Sequence, residues 1–436
     1  MSTPESLYRN AIDLNRYSNS VARRVINAYN DIILDSVNQL RLIEDLEESA
    51  KAARLRSIIA QLKESLATWA GDSTELTALE LQGLAELQSE FVEEQLKKVL
   101  PRGSRDIVRT VEISPQFAQS VVMTDPTQIN VVALSDDLFA AVYGAPQTFS
   151  LTAAQGAVIT LPNGKIVEKA FRGIAEDQAE RFAQVVRQGL LTGETTQDIA
   201  RRLTGRLQRS GDIQLEFGQR AKSVKQIQLA GGQATTAANH QVLTLVRTSI
   251  NQVANAASQQ VYEANQDITK KYRYVATLDT RTSAICRALD GREFEYGKGP
   301  KPPQHWNCRS TTVAVIDYDN LPFDPPPRGE RAAQGGMVPA DQSYGQWLAK
   351  PFKGENKNEH MLRKAEAFGF KGKRQKNEPL DDFYKRASQS PAGQKSRYFD
   401  RLASKHGARD AIAKLVRDDG SELTLQDLRE RYSELD

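Results

Sequence analysis

Residues 272–315 restrict the fold of this chain more than any other stretch. They gather both cysteines of the 436-residue sequence, Cys286 and Cys308, with His305, one of four histidines, among turn-forming residues. Residues 272–277 alternate as a half-buried strand does, and residues 310–316 are a second strand rich in β-branched side chains. Leu289-Asp290-Gly291 reads as a turn between them, and Pro300, Pro302 and Pro303 stiffen the return. Paired antiparallel, the two strands carry Asp279, Cys286, His305 and Cys308 toward one end of a small unit. The rest of the chain, mostly helical and polar, has to pack around it.

Three readings of those four residues stand open. Zinc takes four N, S or O ligands in a tetrahedron; His305 and Cys308 have ligand-like spacing that Cys286 and Asp279 would complete, although no matching C-x-x-C pair is present. A disulfide between Cys286 and Cys308 would close a loop of about twenty residues and contribute on the order of 3 kcal/mol, against the opposition of a reducing cytoplasm. The third reading is two small buried hydrophobes beside a hydrogen-bonded histidine, which needs no cofactor.

Around this unit the sequence predicts a mainly α protein with small antiparallel β elements (α+β), elongated and multi-domain. Residues 1–101 read as a helical arm. Val21, Val25, Tyr29, Ile32, Ile33, Val37 and Leu40 form one helical stripe, and Leu76, Leu79, Leu87, Phe91, Leu96 and Val99 another. Such stripes suit intramolecular packing or a partner; spacing alone favours the former. Asp72-Ser73-Thr74 predicts a helix start and Pro101 a stop. Residues 102–166 read as a mixed region, with a strand over 106–113 and a hairpin over 159–166 turning at Asn163-Gly164. Residues 167–318 form the next unit: helices over 168–190, 195–203 and 233–265, then the Cys/His sheet, with Gly193 a left-handed helix end. Residues 319–343 are a Pro/Gly-rich linker and 344–436 a basic helical region.

In that last region Lys350, Lys353, Lys357, Arg363, Lys364, Lys371, Lys373, Arg374 and Lys376 are interleaved with aromatics, a composition that can hold a nucleic-acid backbone or form a solvated helical face. Over the whole chain 58 Lys and Arg nearly balance 55 Asp and Glu, so no global field favours nucleic acid. The N-terminal MSTPESLYRN lacks the pattern of a secretion signal, and no apolar run approaches membrane-spanning length. The expectation is a protein made in a cytoplasm and not exported by a signal peptide.

The ordered motifs LDTRTSAIC, LDG and PPQHWNCRS, preceded by GLLTGETTQDIARRL and LVRTSINQVANAAS, resemble the phage Mu F-like minor head protein, or head morphogenesis, family over roughly residues 170–316. The resemblance rests on Arg247, Thr248, Asn251 and Asn255 in one helix. It rests equally on Asp279, Arg281, Thr282, Cys286, Asp290, Gly291, Pro303, His305, Asn307, Cys308 and Arg309 in the unit that follows. Residues 343–348, SYGQWL, are similar to a segment that follows the domain in some members. Members commonly carry a second cysteine pair where this chain has Ser283 and Ser310. The resemblance thereby implies two nested cross-strand pairs, 283 with 310 and 286 with 308, and favours a metal-free Cys286/Cys308 pair or a weaker Asp/Cys/His/Cys site.

For function, the resemblance implies a minor capsid protein of a tailed bacteriophage. Such a protein sits in the virion, inside the capsid near the portal, and assists head assembly and DNA packaging or delivery. Its partners would be the portal protein, other head proteins and packaged double-stranded DNA, with no small-molecule substrate and no cofactor beyond a possible zinc. The competing class is an enzyme, a metal-dependent nuclease or a toxin-like effector packaged in the virion. An ADP-ribosyltransferase would need an Arg, a Ser-Thr-Ser strand and then Glu-x-Glu, but Glu293 and Glu295 precede Ser310-Thr311-Thr312. His305 has no second histidine near it for a nuclease, and neither a Walker loop nor a His-Glu-x-x-His helix is present.

Overall fold

A computed structural model describes residues 3–44, 46–118, 121, 167–204, 236–318, 321, 329–417 and 420–435. It is mainly α with small antiparallel sheets. The hairpin expected over 159–166 lies outside the described residues.

The larger core is made by helices α1 (Thr3–Arg41), α2 (Glu48–Val99), α3 (Val167–Leu191), α4 (Thr196–Thr204) and α5 (Thr236–Ala264). The stripe on α1 is buried as its spacing predicts, from Val21 through Val25, Tyr29, Ile33 and Val37 to Leu40. Each aliphatic side chain so removed from water contributes roughly 1.5–3 kcal/mol. Val242, Leu245, Val246, Ile250, Val253 and Ala257 of α5 join the same core, so α1 and α2 pack on the helix that leads into the Cys/His unit.

The second helix departs from expectation twice. It runs unbroken through Asp72-Ser73-Thr74, because the Thr74 hydroxyl donates to the Ala70 carbonyl within the helix (2.8 Å) while Trp69, Ala70, Ser73 and Thr77 are buried. Packing, not a cap, holds this turn. Trp69 lies 5.3 Å from the Tyr29 ring and 5.7 Å from the Phe171 ring, and its indole N–H donates to the Val25 carbonyl. The buried face also differs in phase: Leu79 and Leu87 are about two-thirds exposed, and Leu81, Leu84, Ala85, Val92 and Leu96 point inward. Helices α1, α3 and α5 all contact α2, and together they select that face.

Residues 106–113 form no strand. A 3-10 turn (Arg102–Ile107) leads into irregular chain whose backbone is satisfied by side chains: Arg109 N–H donates to Asn265 Oδ1 (2.7 Å) and Val111 N–H to Glu93 Oε1 (2.6 Å). β-branched composition yields a strand only where a neighbouring strand is available.

Strands β1 (Thr269–Val275), β2 (Glu293–Glu295) and β3 (Thr311–Ile316) form an antiparallel sheet in the order β2-β1-β3, with α6 (Ala284–Leu289) on the connection from β1 to β2. Within the segment expected as a linker, β4 (Glu330–Ala333) and β5 (Gly336–Pro339) form a hairpin turning at Gly335, whose φ is +96°. Then come α7 (Tyr344–Ala349), α8 (Lys357–Ala367), α9 (Leu380–Gln389), α10 (Pro391–His406), α11 (Ala408–Ala413) and α12 (Leu425–Arg431). Ser343, Asn356 and Thr424 open α7, α8 and α12 with capping boxes. These helices have their own core around Trp347, Phe368, Phe399 and Leu402, and Leu278 of the sheet unit enters it. Among the described residues no helix is long and apolar enough to cross a membrane.

Candidate functional site

The polar stripe of α5 fixes the edge of the sheet. Thr244, Thr248, Asn251, Asn255 and Gln259 recur at helical spacing, and β3 lies against them. Asn251 Nδ2 donates to the Ser310 carbonyl (2.9 Å), Asn255 Oδ1 accepts from Thr312 N–H (3.2 Å) and Gln259 Nε2 donates to the Thr312 hydroxyl (2.8 Å). Thr248 accepts the Asn307 N–H (3.0 Å). An edge strand leaves one row of backbone groups unpaired, and here side chains of a helix occupy part of that row. Asn307 itself adopts a left-handed φ of +57°, a conformation asparagine tolerates better than most residues, and so turns His305 and Cys308 inward.

Both thiols and the imidazole meet behind β1. Cys286 Sγ lies 3.2 Å from His305 Nε2 and 3.7 Å from Cys308 Sγ, and the three ligand atoms fall within 4.8 Å of one another. Both cysteines are buried and free. The Trp306 carbonyl accepts a hydrogen bond from His305 Nδ1–H (2.9 Å), which leaves Nε2 facing Cys286 Sγ. Tyr274, read in the sequence as part of a strand but not as a site residue, brings its hydroxyl to 3.2 Å from Cys286 Sγ; strand alternation from Tyr272 is the signal that points it inward.

Burial pushes the Cys286 thiol well above its ordinary value, and neighbouring Cys308 adds to the shift. For Cys308 burial acts the same way, but hydrogen bonds from Cys286 and His305, with the charge of His305, outweigh it and bring the thiol well below its ordinary value. Burial lowers His305, and the hydrogen bond and charge of Cys308 overcome this and raise it. Ser283 and Ser310 both hydrogen-bond to Cys286. All four positions therefore converge on one point.

Asp279 is not part of this cluster. Its carboxylate forms a two-pronged pair with Arg309 (2.6 and 2.9 Å) and accepts from Arg281 N–H and the Thr282 hydroxyl. Burial alone would raise it, but the Arg309 guanidinium holds it below the usual carboxylate range. With its oxygens committed to Arg309, it cannot complete a Cys/His ligand set without breaking that pair.

Asp290 and Gly291 serve as a clamp. Asp290 accepts from the backbone N–H of Ala276 (2.7 Å) and Tyr344 (2.6 Å) and pairs with Arg331, whose side chain is 4% exposed. Arg331 also donates to the Ala276 and Gln342 carbonyls. One carboxylate thus joins β1, the β4–β5 hairpin and α7. Arg287 makes a second tie, donating to the Ala367 carbonyl and to Glu422 while lying over the Tyr344 and Phe368 rings. Of the basic tract, Arg363 is buried against Glu355 and the Phe352 and Trp347 rings, and Lys364 pairs with Asp400. Lys350, Lys353, Lys357, Lys371, Lys373, Arg374 and Lys376 are exposed.

No curated protein and no solved structure matches the chain. Residues 180–313 match the model of the family described as Phage Mu protein F like protein. That span opens within α3, runs through the polar stripe of α5 and closes in β3, enclosing the Arg247–Asn255 helix and the whole Cys/His centre. Over residues 180–313, about a third of its length, the chain is thus similar to the phage Mu F-like family.

Proposed function

We propose that this chain is a minor capsid protein of a tailed bacteriophage, carried inside the head near the portal, where it assists head assembly and DNA packaging or delivery. The observation that carries the reading is the match over residues 180–313, which covers a folded unit whose family-motif residues are spent on architecture: Asn251 and Asn255 hold β3, and Asp290 clamps three elements. Side chains that tie the domain's own elements together in this way suit a structural part better than a turnover site. The portal protein and other head proteins are its partners. Coexpression with the portal protein of the same phage tests this: the two copurify if the reading holds, and a chain that elutes alone at every stage of head assembly contradicts it.

Zinc belongs to the same reading as a metal held by Cys286, His305 and Cys308, with water in its fourth position. Zinc–thiolate bonds of about 2.3 Å in a tetrahedron set two sulfurs about 3.8 Å apart, and the sulfurs here are 3.7 Å apart. A disulfide needs about 2.05 Å. The Trp306 carbonyl supplies the second partner that metal-bound histidines usually have. Metal analysis of the purified chain should find about one zinc per chain, lost in His305→Ala. Zinc-free protein with both thiols titratable would overturn the assignment.

A further inference from the structure

A polar cavity adjoins the Cys/His centre. A cavity of about 370 Å³ lies between α1, α5 and the Cys/His unit, lined by Asn15, Arg247, Asn251, Arg281, His305 and Arg309 among others. Its size is that of a small-ligand pocket. Among the described residues no acidic side chain lines it. Arg309 is paired with Asp279, while Arg281 is 81% exposed and only 3.5 Å from the same carboxylate. Arg247 is half-buried and has no carboxylate within ion-pair distance among the described residues; its Nε and Nη2 both donate to the neutral Asn19 Oδ1 (2.9 and 2.6 Å). Arg309 and Arg281 thus share one carboxylate and Arg247 has none, which leaves two positive charges uncompensated at the cavity wall. The crowding is felt at Arg247, which burial first, and then the charges of Arg281 and Arg309, lower from its ordinary value.

We infer that this cavity binds a phosphate monoester group, with Arg247 and Arg281 as its principal ligands. Guanidinium groups present forked donors that match phosphate oxygens. A phosphate monoester carries about −1.5 to −2 near neutral pH, which balances the excess charge; a single carboxylate would leave half of it. A Cys2His zinc centre is electrically neutral, so the charge balance is the same with or without metal.

Calorimetry of the full chain with inorganic phosphate, a nucleoside 5′-monophosphate, and oligonucleotides with and without a 5′-phosphate tests the site. Binding of phosphate and of the phosphorylated ligands is expected, with a 5′-hydroxyl oligonucleotide weaker. Preference for the mononucleotide would mark a small-molecule site, and preference for the 5′-phosphorylated strand a DNA-end site. Arg281→Gln, an exposed position that leaves the fold intact, should weaken phosphate binding by about tenfold or more, the loss expected for one charge-assisted hydrogen bond. Arg247→Gln should do the same. No detectable binding of inorganic phosphate overturns the proposal, as does binding that Arg281→Gln leaves unchanged. Binding abolished by a chelator but indifferent to both substitutions would assign the phosphate to the metal and equally overturn it.

Discussion

Asp290 and Arg331 show how much of this domain rests on single side chains. Both are almost fully withdrawn from water, and the carboxylate meets two backbone N–H groups and one guanidinium. Removing one partner of such a pair strands the other charge in the interior. Asp290→Ala should cost about 3–5 kcal/mol, read as a fall in the urea midpoint. Asp279 gives a pH dependence of definite sign. Its folded value lies below the unfolded one of about 3.9, so its contribution is complete above that pH and is lost as pH falls through the lower, folded value. Stability against pH, measured for the native chain and for Asp279→Asn, should diverge above about pH 4 and converge in stronger acid. Asp290 was legible in the sequence as part of a turn and a family motif, but its role was not. Its partner Arg331 lies in a proline- and glycine-rich stretch that carries no helical or strand period, and only the folded chain brings the two together.

At the scale of elements, strong local signals held and neighbours decided the rest. The α1 stripe, the α5 helix, the left-handed Gly193 (φ +75°) and the antiparallel pairing of β1 with β3 were all readable from spacing and residue type. Asp72-Ser73-Thr74 carried a genuine cap signal that burial of the surrounding turns overrode, and residues 106–113 had strand composition without a strand beside them. The Cys/His centre was legible as a cluster because its three residues lie in one stretch. The exclusion of Asp279 was not, because it depends on Arg309 reaching it first. Close approach of α7 to α11 makes one glycine indispensable: a Cβ at Gly345 would overlap the Ala408 carbonyl oxygen. Gly345→Ala should therefore destabilise by about 1–3 kcal/mol through overpacking, whereas Gly83→Ala, on an open stretch of α2, should be neutral or stabilising in the same thermal melt.

For the whole molecule, the Mu F-like domain is a junction. Its helices share a core with α1 and α2, and its Cys/His sheet is tied through Asp290 and Arg287 to the C-terminal helices. The exposed cations of residues 350–376 follow that tie along the chain, and we propose that they contact duplex DNA. If they do, affinity for duplex DNA falls steeply with added salt, with a log–log slope near −0.9 per phosphate contacted; replacing Lys371, Lys373 and Lys376 together should flatten it. Arg363→Ala should instead lower stability, since that side chain is buried. The most direct test of the central reading is quantitative mass spectrometry of purified, DNA-filled heads of the phage that encodes the chain. The account predicts the chain in a few copies per head, protected from protease until the head is opened. Its absence from filled heads, with the protein recovered only free in the infected cell, would contradict it.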